Sequence, residues 1–335
     1  MEKVLTFSVA AYNVEKYLEK LLDSIIVAGM NEDIEVLVVN DGSTDRTSEI
    51  ALQYEARFPE MIKHVGKENG GHGSTINKGI ELATGKFFRA LDGDDWVDSE
   101  SLKKVLAELK KTDADLVVVD YIDAYEDGTR ELNTMKNLKS GQTYPFDDIV
   151  DLIDWCTYHY TIYKTSILKE HHIRLTEHCF YVDSEFCLYP IPYVKDMLYL
   201  DHPLYCYRLG YDEQSVSAIG RKKHIEDSDK VSRNMLTFMH EMEPKVSPKR
   251  LQYLTHVTMR HIVRHYHAML LFEPTKEQKE KILDFERFVK EQSPTIYKQI
   301  PEHSLICRVL RMTNYAFYPQ VIAYRKKKHK ELYPQ

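Results

Sequence analysis

Asp92, Asp94 and Asp95 put three carboxylates into four residues, directly after the apolar run Phe87-Phe88-Arg89-Ala90-Leu91. Like charges that close repel, and each raises the pKa of the others unless a cation sits among them. An oxygen-preferring divalent ion, Mn²⁺ or Mg²⁺, answers that need and usually arrives with a phosphate-bearing substrate. An acidic turn capping a helix that starts near Asp98 or Ser99 explains the same residues without chemistry. Asp41, in Asn40-Asp41-Gly42-Ser43-Thr44-Asp45, can accept hydrogen bonds from a base or ribose, whereas Ser43, Thr44 and Asp45 read as turn residues. Gly70, Gly71 and Gly73 allow close backbone approach and precede a helix whose N-terminus favours an anion. Asp183 and Glu185 form a second acidic centre, for which an Asp at a helix start is also an ordinary cap.

These groups need elements to hold them. Apolar β-forming runs at Val4–Ala11, Ile34–Val39, Met61–Val65, Lys86–Leu91 and Leu116–Asp120 alternate with helical spacing at Val14–Ile26, Thr44 or Asp45 to Arg57, Ser74–Ala83 and Ser101–Lys110. Short apolar strands alternating with helices predict an α/β fold, a mainly parallel sheet flanked by helices on both faces. In such sheets ligands bind beyond the carboxyl ends of the strands. The motifs at Tyr12-Asn13, Asn40-Asp41, Asn69-Gly70-Gly71 and Asp92 to Asp95 all fall there, so one crevice is expected to collect them.

Composition narrows the function. The chain has 335 residues and a net charge of −7, so it has no global basic field and no nucleic-acid partner is expected. Its five cysteines form no CxxC pair, which suits a reducing cytoplasm. Met1-Glu2-Lys3 leads straight into a strand-like run, so no signal peptide is expected, and no apolar stretch reaches the ~20 residues of a spanning helix. A cytoplasmic location is expected, on the inner face of the cell membrane if the tail docks there.

Ser8 to Leu18 with Ala11-Tyr12-Asn13, Val39-Asn40-Asp41-Gly42-Ser43-Thr44-Asp45, Glu68-Asn69-Gly70-Gly71, Asn77-Lys78-Gly79 and Leu91-Asp92-Gly93-Asp94-Asp95 follow one another as in glycosyltransferase family 2, which the first 210 or so residues resemble. Ala11 stands where that family usually has proline, and Asn40 where it often has Asp. The resemblance implies a GT-A fold, Rossmann-like, that transfers a sugar from a nucleotide-sugar donor. It implies that the Ala11-Tyr12-Asn13 region and Asp41 hold the base, usually uracil. Asn69, Gly70, Gly71, Asn77 and Gly93 belong to the same nucleotide-sugar site. Asp92 approaches the ribose, and Asp94 ligates the metal across the diphosphate with help from Asp92 and Asp95. In Phe180-Tyr181-Val182-Asp183-Ser184-Glu185-Phe186, Asp183 matches the family's catalytic base and Glu185 is its backup. Arg208, ending Tyr205-Cys206-Tyr207-Arg208 ahead of Ser215-Val216-Ser217, contacts the diphosphate or the catalytic Asp in one reading and forms a structural salt bridge in the other. The processive signature Gln-x-x-Arg-Trp is absent, which implies one sugar per encounter.

The expected organisation is a catalytic domain over 1–217, with a nucleotide-binding half at 1–120 and an acceptor half at 121–217, then a helical C-terminal region over 218–335. Asp123 to Gly141 reads as an excursion or hairpin and Phe146 to Ile153 as a short helix; the aromatic run Trp155 to Tyr163 suits the apolar faces of sugars, but a half-buried strand explains it equally well, and core is the favoured reading of each ring. Asp227–Met242, Pro248–Leu271 and Lys276–Gln292 read as helices, with His261, Arg264, His265 and His267 on a partly exposed face. Arg308 to Lys330 carries seven Lys or Arg and no acid, interleaved with apolar residues. It reads either as a solvated, disordered end or as peripheral attachment to an anionic membrane. The expected acceptor is a glycan, a lipid-linked acceptor or a glycoprotein; an oligomer is compatible with the sequence. Two other classes compete: a sugar nucleotidyltransferase, which needs a Gly-rich loop with Arg and Lys after the first strand, and a non-catalytic pseudoenzyme, which the presence of Asp41, Asp92, Asp94 and Asp183 argues against.

Overall fold

The computed structural model describes residues 3–27, 29–210 and 217–328. By internal contacts the chain divides into two units, Met1–Gly210 and Tyr211–Gln335.

The first unit is α/β. Strands β1 (Leu5–Ala11), β2 (Ile34–Asn40), β3 (Ile62–Gly66) and β4 (Phe87–Asp92) lie parallel in the order β3-β2-β1-β4. Phe7, Val9, Val36, Val38, Phe87, Phe88 and Leu91 are fully buried, as expected of a parallel sheet covered on both faces. Helices α1 (Leu18–Ile25), α2 (Thr47–Arg57) and α3 (His72–Leu82) make the crossovers. The order reverses between β1 and β4, and register puts Ala11 beside Asn40, Asn40 beside Gly66 and Ala10 beside Asp92. The carboxyl ends of all four strands are therefore level at a topological switch point.

After β5 (Trp96–Val97) and α4 (Ser99–Leu109), β6 (Leu116–Tyr125) continues the sheet, and β7 (Arg130–Asn133) folds back on it as a hairpin turned at Gly128, whose φ is 88°. β8 (Gln142–Pro145) pairs with a later strand, β10. β9 (Thr161–Lys164) enters antiparallel between β4 and β6; α5 (Thr165–Glu170) and α6 (Asp183–Leu188) follow, and β10 (Asp196–Leu209) runs parallel to β6. The β10 register slips between Leu200 and Tyr205, around Pro203, which cannot donate to the ladder. That irregularity sets the register of Tyr205 to Arg208.

Two expectations are corrected here. Phe146 to Ile153 is no helix; only Phe146–Asp148 makes a 3-10 turn. Asp147, Asp148, Asp151 and Asp154 would stack like charges at helical spacing. Trp155 to Tyr163 is not one strand: Tyr158–Tyr160 forms a 3-10 turn before β9 begins at Thr161. Arg89, fully buried on β4, holds that turn by donating to the carbonyls of His159 and, at 3.3 Å, Thr161.

Asp120, on β6, offers a stability test away from the site. It is 2% exposed, and burial pushes its carboxyl up to about 6, against the 2.9 Å hydrogen bond from the Tyr199 hydroxyl. A carboxyl raised in the fold disfavours its own ionisation, so its stabilising contribution is full below its unfolded value and is lost as pH rises through about 6. Asp120→Asn keeps an acceptor for Tyr199 and is expected to gain about 2–3 kcal/mol on wild type at pH 8 and little near pH 4. Urea titrations at the two pH values check this; an equal gain at both would contradict it.

The second unit is helical: α7 (Ala218–Lys223), α8 (Ile225–Met242), α9 (Pro248–Met269), α10 (Lys276–Gln292), α11 (Pro294–His303), α12 (Leu305–Met312) and α13 (Tyr318–Lys328). Ser217, Ser247, Thr275, Ser293 and Ser304 each cap a helix by accepting a backbone N–H three residues on. The histidine face is a correction: His261 and His265 are buried, not partly exposed. His265 Nδ1 lies 2.8 Å from Ser228 Oγ, and Nε2 lies 3.4 Å from Asp229, because α8 supplies polar partners that sequence proximity does not show. The disordered reading of the tail is likewise replaced by α12 and α13 as far as Lys328; His329 and Lys330 lie outside the described residues, as do Ser215 and Val216. No helix among the described residues is long and apolar enough to cross a membrane.

Candidate active site

β4 delivers Asp92 at its last position and turns back on itself, with the Asp95 N–H donating to the Asp92 carbonyl at 3.1 Å. Gly93 is required by close approach: its N–H donates to the Ala10 carbonyl at 3.0 Å, and a Cβ there would meet that oxygen at 2.7 Å. β10 clamps the turn from the other side. Asp95 accepts the Tyr205 hydroxyl at 2.5 Å and the Arg208 N–H at 2.7 Å. Burial, then the charges of Asp94 and Asp92, push its carboxyl well above the usual range. Asp94 takes one hydrogen bond from Arg208 Nη2 at 2.7 Å, while its side chain stays about a third exposed. The Arg208 guanidinium also lies 4.1 Å from the centre of the Tyr17 ring.

Asp92 is gripped by three side chains, from α3, the Tyr158–Tyr160 turn and β10. His72 Nε2 lies 2.9 Å from its Oδ1, the Tyr158 hydroxyl donates to the same oxygen at 3.2 Å, and its own N–H donates to the Tyr205 hydroxyl at 3.2 Å. Burial would drive the His72 imidazole down, but Asp92, by charge and hydrogen bond, together with the charges of Asp183 and Asp94 holds the ring above its ordinary value.

The carboxyl ends of β1, β2 and β3 form the other wall. Asp41 is 2% exposed; Oδ1 takes Lys67 Nζ at 2.6 Å and the Gly70 N–H at 2.9 Å, and Oδ2 takes the Gly71 N–H at 2.8 Å. The Asn69 amide donates to the Asp41 carbonyl at 3.0 Å. Asp41 thus fixes the glycine loop as well as facing the crevice end of the sheet. Asn13, at a left-handed φ of 53°, accepts the Thr44 N–H at 2.9 Å and donates its own N–H to Ser43 Oγ at 3.0 Å. The structural reading of Ser43, Thr44 and Asp45 therefore holds, since Asp45 likewise accepts the N–H groups of Glu15 and Thr47. Ala11 is buried and Tyr12 is 52% exposed, an open aromatic face at the end of β1.

Asp183 opens α6 after a chain segment held to α3. Asn77 accepts the Leu175 N–H at 2.8 Å and donates to the Leu175 carbonyl at 2.9 Å. Its amide is spent on positioning that segment, not turned to a ligand. Gly73 is compelled by the same packing, since a Cβ would meet the Thr176 carbonyl at 2.1 Å. Glu185 is fully buried, with one oxygen on the Thr176 N–H and the other on its hydroxyl, both at 2.8 Å. Those bonds place the backup candidate in the scaffold. The segment leading into α6 is also bonded to the glycine loop, the Gly70 carbonyl accepting the His178 N–H at 2.5 Å.

Among the described residues no group of three or more His, Cys, Asp or Glu is arranged to hold a metal alone. The residues present still fit a divalent ion that takes part of its shell from phosphate and water, a common habit of Mg²⁺. Asp94 is partly exposed, and Arg208 bonds one of its two carboxylate oxygens. Asp95 has both oxygens on protein donors and suits support better than ligation. Lys67, His72, Tyr158 and Tyr205 were missed from the sequence. Only His72 had a local signal, standing between two glycines at a helix start.

Residues 6–172 match the family described as glycosyl transferase family 2. The uncharacterized glycosyltransferase EpsJ of Bacillus subtilis (strain 168) is 28% identical over 217 residues, covering 62% of this chain and 62% of EpsJ. The minor teichoic acid biosynthesis protein GgaB of the same organism is 29% identical over 251 residues, covering 72% of this chain and 27% of GgaB. The chain therefore spans less than two thirds of either relative. The crystal structure of S. aureus TarS 1-349 in complex with UDP-GlcNAc superposes with a TM-score of 0.66 at 18% identity, covering 97% of this chain and 92% of that one, a likeness of fold.

Proposed function

This chain belongs to glycosyltransferase family 2, and from that premise we propose that it moves one sugar from a nucleotide-sugar donor, a UDP-sugar, to a hydroxyl of a surface-glycan, glycolipid or glycoprotein acceptor. The observation that carries the reading is that His72, whose Nε2 lies 2.9 Å from Asp92, opens α3 beside the glycine loop, and that loop holds the segment leading into α6, the Gly70 carbonyl accepting the His178 N–H at 2.5 Å. A donor diphosphate held at Asp92 and Asp94 would present its sugar toward Asp183.

The reaction is a single displacement. An Asp183 oxygen accepts the proton of the acceptor hydroxyl while that hydroxyl's oxygen attacks the anomeric carbon. The bond from that carbon to the diphosphate oxygen breaks, its electron pair leaves with the diphosphate, and configuration inverts. Asp94 and Asp92 would hold a Mn²⁺ or Mg²⁺, which supplies charge stabilisation to the departing diphosphate. Arg208 holds Asp94, and Asp95 anchors the turn through Tyr205 and the Arg208 backbone. Tyr12, Asn13 and the loop at Asn69 to Gly71, which Asp41 holds in place, receive the nucleoside. The nucleotidyltransferase alternative fares worse, because β1 ends in Ala10-Ala11-Tyr12-Asn13 with no Gly-rich loop.

A thermal-shift panel of nucleotide sugars with and without Mn²⁺ tests the reading, since a ligand that binds only the folded state raises Tm. At least one UDP-sugar is expected to shift Tm only when Mn²⁺ is present. No shift from any nucleotide sugar would revive the pseudoenzyme.

The tail supports a membrane-proximal acceptor. Leu305, Val309 and Met312 lie on one face of α12 and are exposed, as are Phe317 and Tyr324, and no acidic residue lies between Arg308 and Lys328. Exposed apolar side chains among cations complement an anionic bilayer surface. The full chain is expected to sediment with phosphatidylglycerol vesicles and not with phosphatidylcholine vesicles, and Met312→Glu to weaken this severalfold; equal binding to both vesicle types would contradict the assignment.

A further inference from the structure

Tyr207 is half-buried on β10, one pleat beyond Tyr205 and on the same face of the strand. Its ring stacks on His159 with centroids 4.1 Å apart and planes 26° apart. His159 in turn packs against Tyr205 at 4.8 Å, Tyr121 at 5.1 Å and Tyr158 at 5.7 Å, and its carbonyl is held by Arg89. Tyr207 is thus fixed against the cluster whose hydroxyls hold Asp92 and Asp95. Its own hydroxyl makes no hydrogen bond among the described residues. Asp92, Asp95, Asp183 and Asp94 all act on it, and with burial they keep it protonated, a hydrogen-bond donor.

A hydroxyl fixed beside the cluster that bonds Asp92 and Asp95, with no hydrogen-bond partner among the described residues, calls for a neutral ligand rich in donors and acceptors. A phosphate there would meet four carboxylates, whereas a sugar hydroxyl meets a complementary group. We propose that Tyr207 selects the transferred sugar, its hydroxyl hydrogen-bonding a hydroxyl of the donor's sugar ring while the stack on His159 keeps it in place. This rests on the glycosyltransferase reading and assigns to that site a specificity residue outside the acidic motifs. The donor side is favoured over the acceptor because the aromatic cluster that fixes Tyr207 bonds Asp92 and Asp95 through Tyr158 and Tyr205.

The test is calorimetric titration, with Mn²⁺ present, of wild type and Tyr207→Phe with UDP, UDP-glucose, UDP-galactose, UDP-GlcNAc and UDP-GalNAc. The ratio of the Kd for UDP to the Kd for the preferred UDP-sugar is expected to fall about tenfold in the variant, with the Kd for UDP itself unchanged, as for one lost hydrogen bond. An unchanged ratio, an equal loss for UDP, or an altered acceptor KM with intact donor binding would each overturn the assignment alone. Wild type that binds none of these nucleotides would overturn it together with the glycosyltransferase reading.

Discussion

Asp183→Asn is expected to lower kcat by about 10³-fold and to leave the Kd for the nucleotide sugar within about twofold of wild type, the signature of a lost general base. Asparagine keeps the shape and a hydrogen-bonding oxygen at the start of α6 but cannot take a proton at neutral pH. The scaffold should tolerate it, because the segment before α6 is tied down by Asn77, and α6 itself by the Glu185 bonds to Thr176. Single-turnover transfer and donor titration separate the two quantities. Near-wild-type transfer would remove Asp183 from the reaction. Glu185 would not replace it, since both of its oxygens are already accepting from Thr176.

Asp94→Ala is expected to lower kcat/KM by about 10³-fold and, unlike the base variant, to weaken donor binding at least about tenfold and abolish its dependence on Mn²⁺. Asp94 is suited to this by contrast with its neighbours. Asp95 spends both oxygens on Tyr205 and the Arg208 backbone, and Asp92 Oδ1 is shared by His72 and Tyr158, whereas Asp94 meets Arg208 and otherwise opens toward solvent. Donor titrations across a Mn²⁺ series check it. Unaltered metal dependence would place the ion elsewhere.

The first four strands and the motifs at their ends were legible because their signals are local. Each of β1, β2 and β4 is a short apolar run followed at once by its polar motif, and a parallel sheet aligns such ends by its own geometry. The rest was set by contacts distant in sequence. Tyr158 and Tyr205 reach Asp92 and Asp95 from 66 and 110 residues away, and nothing near them distinguishes these tyrosines from core aromatics. Asn77 belongs to a recognisable motif, yet its partner Leu175 is 98 residues on, so its positioning role could not be read locally. The Tyr158–Tyr160 turn displaced an expected strand because buried Arg89 binds its carbonyls. His261 and His265 were misjudged for the same reason: Ser228 and Asp229 come from another helix.

The central claim is that the Asp92–Asp94 turn and Asp183 act on opposite ends of one bound donor. A crystal structure of the Asp183→Asn protein with Mn²⁺ and the UDP-sugar chosen by thermal shift tests this most directly, using anomalous scattering to locate the manganese. The account predicts an anomalous peak on the Asp94 carboxylate, bridged to the diphosphate, with the anomeric carbon between it and the residue 183 side chain. A peak away from Asp94, or a donor whose anomeric carbon lies remote from residue 183, would contradict it.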